Sequence, residues 1–370
     1  MTLCHRVEYG LSGKNGIKMK SFPIKILLLL VIGGVMLNAC SGGLVANSWP
    51  GVTAGKDLVY LSDQGFVFAV KVSDGSMAWR YPADKAAAKP FYAAPALTDS
   101  EMIVGDYGNT LYAFDPATGN QKWTYDKGKS LWVGSPQIVG NVVLAPSADA
   151  NLYAFDLKGQ LLWSFKTQQM IWAQPVSDGT LVYQAGMDHK LYALKLSDGS
   201  LVWSTDLGGS AISSPALDEN GVLYVGTLAS EMLAIDGKTG RILWRHISPG
   251  AIWSSPLVVG NTLYYGDFSG KANALSTKDG SPQWTIDLAG PVTASATSFK
   301  DGLIYVMETG DIQALTMDGK KSWSHTINGK LYSTPAVVGD RLVVPVTQGD
   351  SLMVALDANG NEVWSFVMPK

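Results

Sequence analysis

The sequence predicts an all-β protein, an eight-bladed β-propeller with four antiparallel strands per blade. Two observations predict it. A stretch typified by LYAFDPATGNQKW, Leu111 to Trp123, returns eight times, ending at Trp79, Trp123, Trp163, Trp203, Trp244, Trp284, Trp323 and Trp364 with spacings of 39 to 44 residues. A period near 40 built from short strands is the mark of a repeat that closes radially. Composition agrees: the 370 residues are only 16% charged and include 40 Gly and 17 Pro, which suits turn-rich β structure better than helix.

Each part of the unit has a physical reason. LYAF is a short apolar run carrying two aromatics, a strand by composition. DPATGN is a turn, with Asp and Pro suited to its first positions and Gly supplying the positive φ that closes a short loop. That Gly stands four residues before every Trp, at Gly75, Gly119, Gly159, Gly199, Gly240, Gly280, Gly319 and Gly360. An Ala stands nine or ten residues before it, at Ala69, Ala113, Ala154, Ala193, Ala234, Ala274, Ala314 and Ala355. A buried indole contributes roughly 4–6 kcal/mol gross at about 25 cal/mol per Å², and the Ala leaves room for it. Strict recurrence assigns the eight Trp to docking between neighbouring units. The plainer alternative is a strand Trp that fills the core of its own unit.

The strands follow in order within each unit. In the third they read Ser135 to Gly140, Val142 to Ala145, Leu152 to Phe155 and Leu161 to Phe165. Pro opens the first strand in seven units, at Pro50, Pro95, Pro136, Pro175, Pro215, Pro256 and Pro335, with Ala296 in the remaining one; there a missing N–H costs no ladder bond. The first unit begins with its innermost strand and the last ends with its outermost, Val363 to Val367. The ring is therefore expected to close by packing of unit one on unit eight, with residues 41–47 left as a possible added edge strand. One propeller over residues 49–370, monomeric, is the expectation.

The N-terminus carries an address. Residues 19–40 read MKSFPIKILLLLVIGGVMLNAC, with Lys20 and Lys25 before a twelve-residue apolar run from Ile26 to Leu37. That run is short for a membrane span of ~20 residues and suits a signal peptide. Leu37-Asn38-Ala39-Cys40 resembles a bacterial lipobox, which implies cleavage before Cys40 and a lipid on its sulfur. Segment 19–39 is thus read as a lipoprotein signal peptide and 40–48 as a lipidated tether. Residues 1–18 resemble neither leader nor strand, so Met19 is the expected start. An exported protein, anchored to the cell membrane or outer membrane and facing periplasm or exterior, follows. Net charge is −3 with no Lys/Arg cluster in the repeats, which argues against nucleic-acid binding.

Candidate binding residues come from where loops converge. Three positions before the strand-opening residue stand Tyr92, Val133, Trp172, Ile212, Trp253, Thr293 and Tyr332, with Trp132 beside Val133. In a propeller these connections meet around one mouth of the central channel. The loops between second and third strands share that face and add Asp106, Asp188 and Asp267. Tyr92, Trp132, Trp172, Trp253, Tyr332, Asp106, Asp188 and Asp267 are accordingly the candidate channel-mouth set, able to hold a flat ligand, a sugar or a peptide. The alternative is that bulky side chains simply plug the channel. His189, His246 and His325 stand apart from one another, so no metal site and no catalytic triad is expected.

The pattern Ala-x-Asp-x-x-x-Gly-x-x-x-Trp resembles the tryptophan-docking repeat of pyrroloquinoline-quinone (PQQ)-type propellers. It is best kept at Ala113, Asp115, Gly119 and Trp123 and at Ala234, Asp236, Gly240 and Trp244; Lys71, Lys195, Ser276 and Thr316 depart from it. Catalytic members of that family hold PQQ and calcium at the mouth and often carry a vicinal disulfide. The sequence has no Cys-Cys pair and no Cys-x-x-Cys-His site, so neither PQQ nor calcium is expected, nor quinoprotein dehydrogenase activity. With lipobox, length and unit count added, the chain resembles the BamB-like lipoproteins. That resemblance implies a non-catalytic protein-binding scaffold in outer-membrane β-barrel assembly, with envelope proteins as partners. A binding protein for a quinone or sugar at the channel mouth, or a divergent quinoprotein dehydrogenase, is the alternative.

Overall fold

The structure is a computed structural model that describes residues 49–84 and 89–368. Segments 1–18 and 19–39, Cys40 and the tether to residue 48 lie outside the described residues. Eight four-stranded antiparallel sheets occupy residues 51–81, 96–125, 137–166, 176–206, 216–247, 257–287, 297–326 and 336–366. Every sheet takes its four strands in sequence order from one stretch of chain. The protein is an eight-bladed β-propeller.

Strand position in the blade follows from burial. Second and third strands are near-continuous apolar runs, such as Val142–Pro146 and Asn151–Asp156, because both faces pack on neighbouring blades. Fourth strands alternate instead: Leu201–Asp206 places every other side chain in solvent, as an outermost strand must. First strands are short and touch those of adjacent blades, so they ring the axis. A Pro directly precedes seven of them, from Pro50 to Pro335, and Ala296 the eighth.

The core is not one body but eight, one per joint. Each apolar cluster joins two neighbouring blades; Tyr183, Leu191 and Ala193 of blade four, for example, pack with Leu223, Val225 and Leu233 of blade five. The joint between blades eight and one is built alike, with Val343, Met353 and Trp364 against Val59, Leu61 and Phe68.

In seven blades the recurring Trp stands directly opposite the recurring Ala across its own hairpin, as in Ala113↔Trp123 and Ala234↔Trp244, with a register shift just beyond the Ala; in blade seven the shift falls at Ala314 itself. Its indole reaches into the next blade. Nε1 of Trp79, Trp123, Trp163 and Trp203 donates to the carbonyls of Pro116, Leu157, Leu196 and Gly237 at 2.8–3.0 Å. Trp244, Trp284 and Trp323 donate to Thr277, Met317 and Ala358 at 3.0–3.1 Å. Trp364 completes the circle on the carbonyl of Val72, at 2.9 Å. The indole lies flat on the next blade's turn Gly: a Cβ built on Gly119 would stand 2.6 Å from the ring of Trp79, and one on Gly75 2.8 Å from that of Trp364. Trp163 and Trp364 are buried, whereas the other six keep an edge in solvent.

Candidate functional site

The connections between blades are fastened at both ends. On leaving blade two the chain brings Trp132 N–H to the carbonyl of Asp106, in that blade's second-to-third-strand loop, while Ala148 N–H of the same loop in blade three reaches the carbonyl of Leu131. The pair of bonds repeats: Ile171 to Ser147 with Met187 to Met170, Ile252 to Thr227 with Phe268 to Ala251, and Val292 to Asp267 with Glu308 to Pro291. Each connection is thus held between loops of the two blades that it joins.

This fastening decides where the candidate aromatics point. The residue four before the strand-opening position is buried in the joint in every described connection: Phe91, Trp132, Ile171, Ala211, Ile252, Val292 and Leu331. Alternation then turns the following residue toward the axis, and Tyr92, Trp172, Trp253 and Tyr332 are half-buried there. Trp132 therefore does not belong to the mouth. It is 1% exposed, packs on Tyr153 at 5.3 Å between ring centroids, and occupies the space that Gly105 leaves by lacking a Cβ.

The three carboxylates are also turned inward. Asp106 accepts from the N–H groups of Gly108 and Thr110 at 2.7 and 2.8 Å and from the Tyr112 hydroxyl at 3.1 Å. Asp267 accepts from Ser269 N–H and Oγ, Ser248 Oγ and Asn273 Nδ2 at 2.6–3.2 Å. Asp188 accepts at Oδ2 from Gln168 N–H and the Tyr192 hydroxyl at 2.9 and 2.6 Å, leaving Oδ1 buried without a partner. All three are under a tenth exposed. Asp106 braces its own loop, while Asp188 and Asp267 also tie their loops to the preceding connection through Gln168 and Ser248. Short loops leave their own N–H groups unpaired, and a carboxylate satisfies several at once.

Calcium takes six to eight oxygens, and among the described residues no three His, Cys, Asp or Glu side chains are placed to hold a metal ion.

What the mouth does present is aromatic. Trp49, immediately before Pro50, lies 6.2 Å from Tyr332 with rings 27° from parallel, and 5.9 Å from Trp253 edge-on at 66°. Trp253 in turn stacks on Phe268 at 5.7 Å. Tyr332 leads into blade eight, the neighbour of blade one, and Trp253 into blade six, so Trp49 links an adjacent connection with a more distant one around the mouth. On the far side Tyr92 meets Tyr107 edge-on at 4.7 Å, and burial raises the Tyr107 hydroxyl to about 12. Burial lifts Glu308 above the usual carboxylate range against the pull of Lys330, and Tyr332 is raised by burial and by the Glu308 charge. Trp253 and Tyr332 are thus linked through Trp49, while the ring partner of Tyr92 is Tyr107.

Sequence reasoning missed Trp49, although a signal was present. At the same place in other blades stand Ser135, Ser255, Ser295 and Thr334, whose hydroxyls accept from the backbone N–H of Ala94, Ser214, Ser255 and Ser295. An aromatic in that hydroxyl position is the departure that marks the mouth.

The family model described as "Outer membrane protein assembly factor BamB" matches residues 35–170, 148–299 and 270–370. Among curated relatives, the outer membrane protein assembly factor BamB of Moranella endobia is 24% identical over 283 residues, 72% of this chain and 71% of that protein. The Burkholderia pseudomallei factor is 27% identical over 270 residues, 70% and 68% of the two chains. Quinoprotein alcohol dehydrogenase PedE of Pseudomonas putida is 37% identical over only 78 residues, 21% of this chain and 12% of the enzyme. Among solved structures, BamB from Moraxella catarrhalis superposes with a TM-score of 0.68 at 19% identity, covering 82% of this chain and 92% of that one. The computationally designed Ika8 protein superposes at 0.74 with 16% identity, covering 84% and 96%. At such identities the superpositions speak to the fold alone.

Proposed function

The chain belongs to the family of the outer membrane protein assembly factor BamB, and from that premise we propose that it is a lipid-anchored, non-catalytic binding scaffold of the cell envelope that serves the assembly of outer-membrane β-barrel proteins. The observation that carries this reading is the family match, which runs from residue 35 to residue 370 and so takes in every blade. Two features support it. The loop carboxylates Asp106, Asp188 and Asp267 are taken up by hydrogen bonds within the propeller, which suits a structural part for them. The propeller face is held rigid by the fastened connections, as suits a surface that receives another protein.

In this reading the leader 19–39 is removed and Cys40 carries the lipid that holds the propeller at the membrane. Partners are envelope proteins, among them components of the barrel-assembly machinery. The test is crosslinking in intact envelopes of the source bacterium, comparing wild type with Cys40→Ala. Wild type should stay with the membrane fraction and capture a barrel-assembly component, and Cys40→Ala should be released and capture far less. Membrane retention of the variant overturns the anchor; capture of no envelope protein by wild type overturns the scaffold.

The short stretch shared with PedE favours a quinone at the mouth as a second reading. Tryptophan fluorescence titrated with PQQ and calcium decides it, and an unchanged emission removes it.

A further inference from the structure

The aromatic mouth has an occupant from its own chain. Trp49 stacks on Tyr332 and meets the edge of Trp253, yet remains 39% exposed, so it is seated without being sealed in. It is also the last residue before the ring. Pro50 follows, and a residue before proline is held in an extended conformation. Where other blades use a hydroxyl to bond the preceding blade, as Ser255, Ser295 and Thr334 do, Trp49 instead lays its indole on Tyr332 of the neighbouring connection and on Trp253 beyond it.

We propose that the mouth between Trp253 and Tyr332 is a binding site for an aromatic side chain carried on an extended peptide, and that Trp49 is its resident competitor, which an incoming segment of the same chemistry must displace. Three features of the mouth make that chemistry specific. The receiving surfaces are ring faces and edges, with Phe268 backing Trp253 at 5.7 Å. The seated group is an indole on extended backbone. Both receiving segments are bonded to blade loops without help from Trp49, through Ile252 and Phe268 beside Trp253 and through Lys330 and Thr347 beside Tyr332. A resident group lowers apparent affinity by the fraction of time that the site stands free, and being tethered it competes at high effective concentration. The inference is independent of the assembly role proposed above, since it concerns only what the purified protein binds.

The probe is a fluorescently labelled peptide of the chain's own residues 47–51, NSWPG, followed by anisotropy with the full chain. Trp49→Ala should bind it at least about tenfold more tightly than wild type, the factor for a mouth free a tenth of the time. The control peptide NSAPG should not bind. Adding Trp253→Ala to Trp49→Ala should weaken binding about fivefold or more, since one aromatic pair is lost. Equal affinity of wild type and Trp49→Ala for NSWPG overturns the proposal, as does binding that survives Trp253→Ala with Tyr332→Ala. Loss of the cooperative thermal transition in Trp49→Ala overturns it too, because a displaceable residue cannot be one that the ring needs in order to fold.

Discussion

Each joint turns on an indole from one blade laid on a glycine turn of the next, its N–H bonded to a carbonyl 33 to 37 residues away in sequence, or 292 at the closure. The glycine answers two demands. Gly240 has φ +74°, and its missing Cβ would stand 2.7 Å from the Trp203 ring. Gly221 has φ +77° with nothing within 4 Å of that position, so it isolates the conformational demand. Gly221→Ala should cost about 1 kcal/mol, the left-handed penalty alone, whereas Gly240→Ala should cost about 1–3 kcal/mol more for displaced packing. Trp203→Ala should cost about 2–4 kcal/mol, somewhat under the range for a fully buried Trp because an edge of this one meets solvent. Denaturant midpoints check all three. Combining Trp203→Ala with Gly240→Ala should cost less than the sum, since removing the ring relieves the clash; strict additivity would separate the two residues. The turn requirement at these glycines was legible in the sequence. Their second role was not, because the side chain that they meet comes from a different repeat.

At the scale of the element, the hairpin turns show how one job is done by residues at different places. Asp115 and Asp236 open their turns and accept from the N–H and hydroxyl of Thr118 and Thr239. Where Lys71, Lys195 or Ser276 stands in that place, an Asp directly before the Gly takes over: Asp74, Asp198 and Asp279 accept from the N–H of Ser76, Ser200 and Ser281. The departures from the repeat pattern are therefore relocations of the carboxylate. Hydrogen bonds from these Thr and Ser partners hold Asp115, Asp236, Asp74, Asp198 and Asp279 below the usual carboxylate range. A carboxyl with a depressed folded pKa lends stability above the unfolded value near about 4, and loses it as pH falls through the folded value. Thermal midpoints should therefore drop on acidification from pH about 5 to about 3. A chain carrying Asp115→Asn and Asp236→Asn, which keeps an acceptor oxygen but cannot titrate, should drop less; an unchanged acid limb would mean that other groups set it. The mouth shows the opposite limit of legibility. Counting back from the strand-opening Pro found Trp253 and Tyr332, but buried loop carboxylates and exposed ones look alike in sequence. Asp106, Asp188 and Asp267 were misplaced for that reason, and Trp132 by a one-residue change of face.

The whole molecule poses the question of closure. A ring can be locked by a blade that mixes strands from both chain ends, but here all four strands of blade eight lie between Ala336 and Phe366 and those of blade one between Gly51 and Tyr81. That was legible because the repeats run in phase from first to last. The eighth joint then rests on the same contacts as the other seven: an apolar cluster, the Trp364 indole on the Gly75 turn, and one hydrogen bond to Val72. It differs in the length of chain that it closes, and long closures form late because their entropic cost precedes any contact. Trp364→Ala should therefore destabilise at equilibrium at least as much as Trp203→Ala, since Trp364 is the more buried. In stopped-flow chevrons nearly all of that loss should appear as faster unfolding, with refolding little changed. Trp203→Ala, whose joint closes only 34 residues, should slow refolding as well. An equilibrium loss from Trp364→Ala of under half that from Trp203→Ala would show that something besides this joint holds the ring shut, and residues 41–47 added as an edge strand would be the first place to look.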